Sequence, residues 1–279
     1  MKTNQPMNED NDDLPIGKIL TRREVLALFG LAGSQLLTAC APLQMRELPF
    51  NSAPGGNSAS HTTAKELTGV NSSIANSIAV PSCIVSPALT EGPYFVDEKL
   101  NRADIRTDTS DGSVKSGTPF KLNVRVLQAN TGGCSALTGA VVDIWHCDAV
   151  GVYSDAIDRG FNTKGKNFLR GYQVTNANGV ATFQTIYPGW YSGRAVHIHF
   201  KIRATTSAGK SSEFTSQFFF DPALSEKVFA SAPYNSKGAK PDTPNNQDAI
   251  YIESKGQTLL TCTPDSAGYT ATFDIGITL

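Results

Sequence analysis

A chain of 279 residues carries 24 Lys and Arg against 25 Asp and Glu, a formal charge of −1. Nothing in that balance points to nucleic acid or to a polybasic patch for an anionic membrane. The apolar content, 40 %, is that of an ordinary globular core.

The first 40 residues read as an export signal rather than as part of a fold. Arg22 and Arg23 precede an apolar stretch, Val25 to Ala39, that is interrupted by Gly30, Gly33, Ser34 and Gln35 and is too short to span a membrane. The arginine pair resembles a twin-arginine signal, with Val25 where phenylalanine is usual. Leu37-Thr38-Ala39-Cys40 resembles a bacterial lipobox, which predicts an acylated Cys40 and a membrane tether. Cleavage near Ala39 by ordinary signal peptidase, leaving Cys40 incidental, is the alternative. Both predict a protein outside the cytoplasm, in the periplasm or cell envelope. Residues 41–80 are rich in Ser, Asn, Ala, Gly and Thr without a sustained period, which predicts a flexible linker holding a solvated His61. Residues 81–279 are then one domain.

Within the domain the periodicity is mostly two. Phe120 to Val126 alternates apolar and polar residues, the pattern of a half-buried strand. Further strands are predicted over Ala140 to His146, Gly171 to Thr175, Ala181 to Ile186, Val196 to Ile202, Phe214 to Phe220 and Tyr269 to Ile277. Asn176-Ala177-Asn178-Gly179 predicts a hairpin turn between the second and third of these six. One short helix is expected over Ala223 to Ala230, capped by Asp221 and opened by Pro222. Many short strands, long loops and a single helix predict an all-β fold, an antiparallel β-sandwich.

Cys40 aside, Cys83, Cys134, Cys147 and Cys262 form an even set. In an oxidising compartment such a set predicts two disulfides, with three connectivities open. The expected pairs are Cys134 with Cys147, across neighbouring strands, and Cys83 with Cys262, across the domain's ends. No Cys-x-x-Cys spacing points to zinc.

The chain has four histidines, and two of them, His197 and His199, share one strand. Side chains alternate along a strand, so both face one side while Val196, Ile198 and Phe200 face the other. Taken alone, such a pair also fits two polar residues on a solvated sheet face. Two tyrosines that no strand pattern needs lie nearby in sequence: Tyr191 in a Pro-Gly-Trp-Tyr turn, and Tyr153 after Gly151. A free phenol, with a pKa near ~10, is a poor ligand at neutral pH, but a hard trivalent cation draws it to phenolate. Two imidazoles and two phenolates favour ferric iron over zinc, and two phenolates with one hydroxide would neutralise it. His146 has no necessary path to such a centre and reads as structural.

Four stretches carry a resemblance to a known family: TEGPYF (Thr90 to Phe95), GAVVDIWHCDAVGVYSD (Gly139 to Asp155), LRGYQVTNANGVATFQTIYPGWYSGRAVHIHF (Leu169 to Phe200) and SQFFF (Ser216 to Phe220). The chain resembles the intradiol ring-cleavage dioxygenases, the catechol and protocatechuate dioxygenase family with mononuclear non-haem iron. By position, the resemblance implies Tyr153, Tyr191, His197 and His199 as ligands of Fe(3+). Tyr191 corresponds to the tyrosinate that leaves when substrate binds, and Tyr153 to the one that stays. Arg194 matches the arginine beside the substrate, Gln217 a glutamine behind it, and Tyr94 a cavity-lining residue in some members. For Gln217 and Tyr94 ordinary packing is the alternative, and for Arg194 a surface charge.

The implied reaction joins a catechol-type substrate and O2 in the catabolism of aromatic compounds. Both oxygen atoms enter, and the ring opens between its two hydroxylated carbons to a muconate-type product. The implied roles are a leaving Tyr191 that takes a substrate proton and an Arg194 that stabilises developing negative charge. The segment between Tyr191 and His197 is shorter than in the catechol enzymes, which predicts a more open pocket. Their helical N-terminal dimerisation region is absent, so their assembly is not transferred. Two other classes fit the sandwich: an exported, non-catalytic aromatic- or carbohydrate-binding module, and a zinc hydrolase.

Overall fold

The computed structural model describes residues 86–130, 133–206, 209–238 and 240–279. The expected export signal, the linker with His61, and both Cys40 and Cys83 lie outside the described residues. Two sheets pack face to face. The first is built on the 12-residue strand β1, Pro119–Asn130, which pairs with β2 (Gly133–Ala136), β7 (Val180–Ile186) and β11 (Tyr269–Ile277), with β10 (Cys262–Pro264) beyond β11. The second runs β6 (Arg170–Val174), β3 (Val141–Trp145), β8 (His197–Thr205), β9 (Ser211–Phe219), all antiparallel. A two-stranded hairpin, β4 (Ile157–Asp158) with β5 (Phe161–Asn162), stands apart.

The alternation read from the sequence is the alternation of burial. In β1, Phe120, Leu122, Val124 and Val126 point into the inter-sheet core, while Lys121, Asn123 and Arg125 point away from it. From the facing sheet come Ile198, Phe200 and Ile202 of β8 and Phe218 of β9, with the Phe200 and Phe218 rings stacked at 4.0 Å. Each such side chain removed from water contributes about 1.5–3 kcal/mol, which sets the facing of β8. The register then turns His197, His199 and Lys201 to the opposite face, and that face is not solvated. The segment Leu89 to Asp97 roofs it: Leu89 N–H donates to Thr215 O, Lys201 pairs with Glu91 and lies over the Phe95 ring, and Arg203 reaches Asp97.

Four expectations change. The strand pairing is antiparallel except between β1 and β11, which run parallel. The Asn176–Gly179 turn is tight, with Gly179 N–H donating to Asn176 O, but it joins no hairpin: β6 pairs with β3 and β7 with β1, so the turn carries the chain from one sheet to the other. Turn chemistry specifies the reversal; which sheet each strand joins depends on its long-range partners. Besides α1 (Pro222–Phe229, capped by Asp221 as expected) there is a second short helix, α2 (Ala249–Ser254), capped by Asp248.

The cysteine pairing is also different. Cys134 is disulfide-bonded, but Cys147 and Cys262 are free thiols, so neither expected pair forms as proposed. Cys134 lies on β2 of the first sheet and Cys147 follows β3 of the second, so the two are not on neighbouring strands as expected. Burial pushes the Cys147 thiol upward and that of Cys262 up to about 12.

Candidate metal centre

The two histidines of β8 project from the face roofed by Leu89–Asp97. Their Nε2 atoms are 3.0 Å apart and both rings are buried. Nδ1 of His197 lies 2.6 Å from Ala195 O; a carbonyl only accepts, so the ring proton sits there and Nε2 presents a bare lone pair. His199 is wedged rather than tethered. Its ring lies flat on Trp145 at 5.0 Å, and Gly92 closes its edge at a positive φ of 74°, where a Cβ would come 3.1 Å from Cε1. The Nδ1 of His199 is buried without a hydrogen-bond partner.

Both tyrosines reach the same point from separate loops. Tyr153 follows β3 and Tyr191 precedes β8, and their loops meet where Gly151, at φ 87°, packs on Trp190. A Cβ at Gly151 would sit 2.3 Å from Trp190 O, so only glycine permits this approach. Lys237 bridges the seam by donating to Val150 O (3.1 Å) and Trp190 O (2.9 Å). The Tyr191 hydroxyl then lies 3.1 Å, and that of Tyr153 3.3 Å, from His197 Nε2.

Two phenol oxygens and a second imidazole nitrogen thus crowd one lone pair, which can accept a single proton. A cation shared by all four atoms is the arrangement that satisfies them together, and the residues present fit one. Burial holds both imidazoles well below their usual range, so their lone pairs are available at neutral pH. Burial also raises the phenols, Tyr191 to about 12 and Tyr153 well above its usual value. Only a strong positive charge would ionise them here. Among the described residues no cluster of three or more His, Cys, Asp or Glu could hold a metal, so a site built on these two histidines would have to draw on the phenols.

Arg194 stands beside these donors. Its Nε donates to Asp248 Oδ2 at 2.9 Å and its Nη2 to Gln217 Oε1 at 2.5 Å, while Gln217 Nε2 donates to Thr90 O at 3.0 Å. Its charge favours the neutral form of both imidazoles and the ionised form of both phenols. Tyr94 stacks on Tyr153 at 4.5 Å and donates its hydroxyl to Asp158 on β4. All seven residues singled out in the sequence therefore fall into one neighbourhood. His146 does not: it links the sheets, bonding Cys147 O at 2.8 Å and Thr185 Oγ1 at 2.7 Å, and burial lowers it to about 4. A recess of about 640 Å³ lies on the first sheet, among Asn123, Arg125, Thr272 and Asp274, and contains none of these groups.

Residues 90–243, more than half of the chain, match the family described as "Dioxygenase". This chain belongs to the intradiol ring-cleavage dioxygenase family. It is similar to the intradiol ring-cleavage dioxygenase from Tetranychus urticae, at 29 % identity over 70 % of this chain and 94 % of that one, with a TM-score of 0.58. A second dioxygenase crystal structure is 30 % identical over 70 % of this chain and 95 % of its own, with a TM-score of 0.59. No curated protein matches.

For an intradiol dioxygenase chain, the four donors and Arg194 all lie inside the matched span. The carboxylate that anchors Arg194 lies outside it, at Asp248. Sequence reading missed Asp248, Thr90, Gly92, Trp145 and Asp158. An Asp just before the apolar run Ala249-Ile250-Tyr251-Ile252 is a helix-cap signal and could have revealed α2, but not its contact with Arg194. The other four act through a carbonyl, a missing side chain, a ring face and a carboxylate on the short strand β4, for which no spacing rule exists.

Proposed function

We propose that this protein is a ferric-iron-dependent intradiol dioxygenase that cleaves a catechol-type diol with O2, giving a muconate-type product. Tyr153, Tyr191, His197 and His199 would hold the metal. The observation that carries this reading is the convergence of both phenol oxygens and the His199 Nε2 within 3.0–3.3 Å of His197 Nε2. Bound there, ferric iron would act as a Lewis acid that ionises both phenols and a chelating catechol and activates the aromatic ring towards dioxygen.

The two tyrosines are held differently, which separates their roles. Tyr153 is fully buried and stacked against Tyr94, so it is the fixed donor. Tyr191 is only partly buried, on the turn Tyr191–Arg194, and is the donor able to swing aside, its freed Oη taking a substrate proton. Arg194 would face negative charge as it develops on the bound substrate, already oriented before the reaction begins. Trp145, Phe95 and the roofing segment exclude water behind His199. A non-catalytic sugar-binding module would have no use for two buried phenols beside two neutral imidazoles, and a zinc hydrolase would lack a carboxylate base here.

The iron-loaded protein is expected to be red-brown from phenolate-to-iron charge transfer. Anaerobic catechol should shift the band to longer wavelength. An iron-replete but colourless protein would overturn tyrosinate ligation, and a coloured protein indifferent to catechol would overturn the substrate class.

Export belongs to the same reading and is supported by Arg22-Arg23, the short apolar stretch and Leu37-Thr38-Ala39-Cys40. With Cys40 as lipid anchor, labelled palmitate should enter the wild type and be absent from Cys40→Ser; label retained in the variant sinks the anchor.

A further inference from the structure

We infer that Asp248 is the positioning residue that aims Arg194 at the metal centre, making the loop before α2 part of the reaction site. The inference rests on the ring-cleavage reading above and adds a residue outside the family match. Asp248 is 1 % exposed and divides its two oxygens between two tasks. Oδ1 accepts the backbone N–H groups of Ile250 (2.8 Å) and Tyr251 (3.0 Å), capping α2. Oδ2 accepts the Arg194 Nε–H (2.9 Å) and the Ala195 N–H (2.7 Å).

That second oxygen controls two parts of the centre. With Gln217 Oε1 on Nη2, it gives the guanidinium two acceptors from two different elements, so the plane of the group is set rather than merely its position. It also fixes Ala195, whose carbonyl accepts the His197 Nδ1–H hydrogen bond and so leaves Nε2 bare. A charge oriented in advance stabilises a transition state without reorganising, whereas a loosely held arginine must first be gathered in. The carboxylate makes no hydrogen bond to the four donors; its charge raises the Tyr191 phenol, and its contacts act through Arg194 and Ala195.

The helix cap and the aiming of Arg194 can be separated. Serine and asparagine are good N-caps, so Asp248→Ser and Asp248→Asn keep a cap for α2. Serine lacks the second oxygen, and asparagine offers a neutral amide in its place. Both variants should retain iron and bind anaerobic catechol within about threefold of wild type, while kcat falls roughly 10- to 100-fold, the usual range for a group that orients a reacting one. Combined with Arg194→Ala, either should slow turnover by less than about twofold beyond Arg194→Ala alone, because the two act as one unit. In the metal-free protein, the Arg194 Nε–H should exchange slowly with solvent in wild type and fast in both variants.

Turnover within twofold of wild type, losses that multiply with Arg194→Ala, or an unchanged Nε–H exchange rate would each overturn the inference. Failure of both cap-competent variants to fold would assign the carboxylate to folding alone and overturn it as well. A wild-type protein showing no catechol response would defeat the ring-cleavage reading instead, and the exchange measurement would still judge the Arg194 contact.

Discussion

Tyr153→Phe is expected to abolish ring cleavage, by about 10³-fold or more, while leaving the fold intact. The change deletes one oxygen atom and no ring, so the stack on Tyr94 and the packing with Trp145, Cys147 and Ala156 persist. The lost hydroxyl contact to His197 is worth about 0.5–1.5 kcal/mol, a small part of a domain's stability. The centre loses far more, because a donor set of two imidazoles and one phenol no longer offsets a trivalent charge in a buried site. Iron content and the charge-transfer band should fall together, with the melting temperature close to wild type. His199→Ala should strip iron more completely but also leaves Trp145 facing a cavity, so the phenylalanine variant is the sharper test. A Tyr153→Phe protein with full iron and full turnover would remove the ligand assignment.

Arg194→Ala should bind iron and show the colour of the wild type, yet turn over about 10²- to 10³-fold more slowly, roughly 3–4 kcal/mol of barrier. The same change strands Asp248, a buried carboxylate with no remaining cation, and breaking such a pair costs about 3–5 kcal/mol of stability. Two effects would then be mixed in one variant. Adding Asp248→Asn removes the stranded charge, so the double variant should recover thermal stability without recovering activity. Turnover restored along with stability would show that Arg194 serves only the fold. Steady-state rates and thermal melts on the same preparations separate the outcomes.

The part of the centre written most plainly in the sequence is the pair on β8. A two-residue spacing in a strand puts His197 and His199 on one face whatever the rest of the molecule does, and the apolar Ile198 and Phe200 between and beyond them say which face is the core. Tyr153 and Tyr191 are of another kind. Nothing in a local pattern brings two loops together; the two stood out only as tyrosines no strand needs and by the resemblance, and the close approach at Gly151 shows how their loops meet. Gln217 and Tyr94 were open between packing and a role, and Arg194 between a surface charge and a role; the structure gathers all three around Tyr153, Tyr191 and the two histidines. Asp248 escaped because its two tasks belong to segments that are neighbours only in space.

The strand periods and the cap at Asp221 were determined by the sequence alone, since side-chain alternation and end-capping are properties of a few adjacent residues. Tertiary structure decided which sheet each strand entered and which thiols came within reach, and with them the carboxylate that holds the arginine. These are choices among distant partners, settled by which apolar faces pack together and by the loops that packing brings into contact.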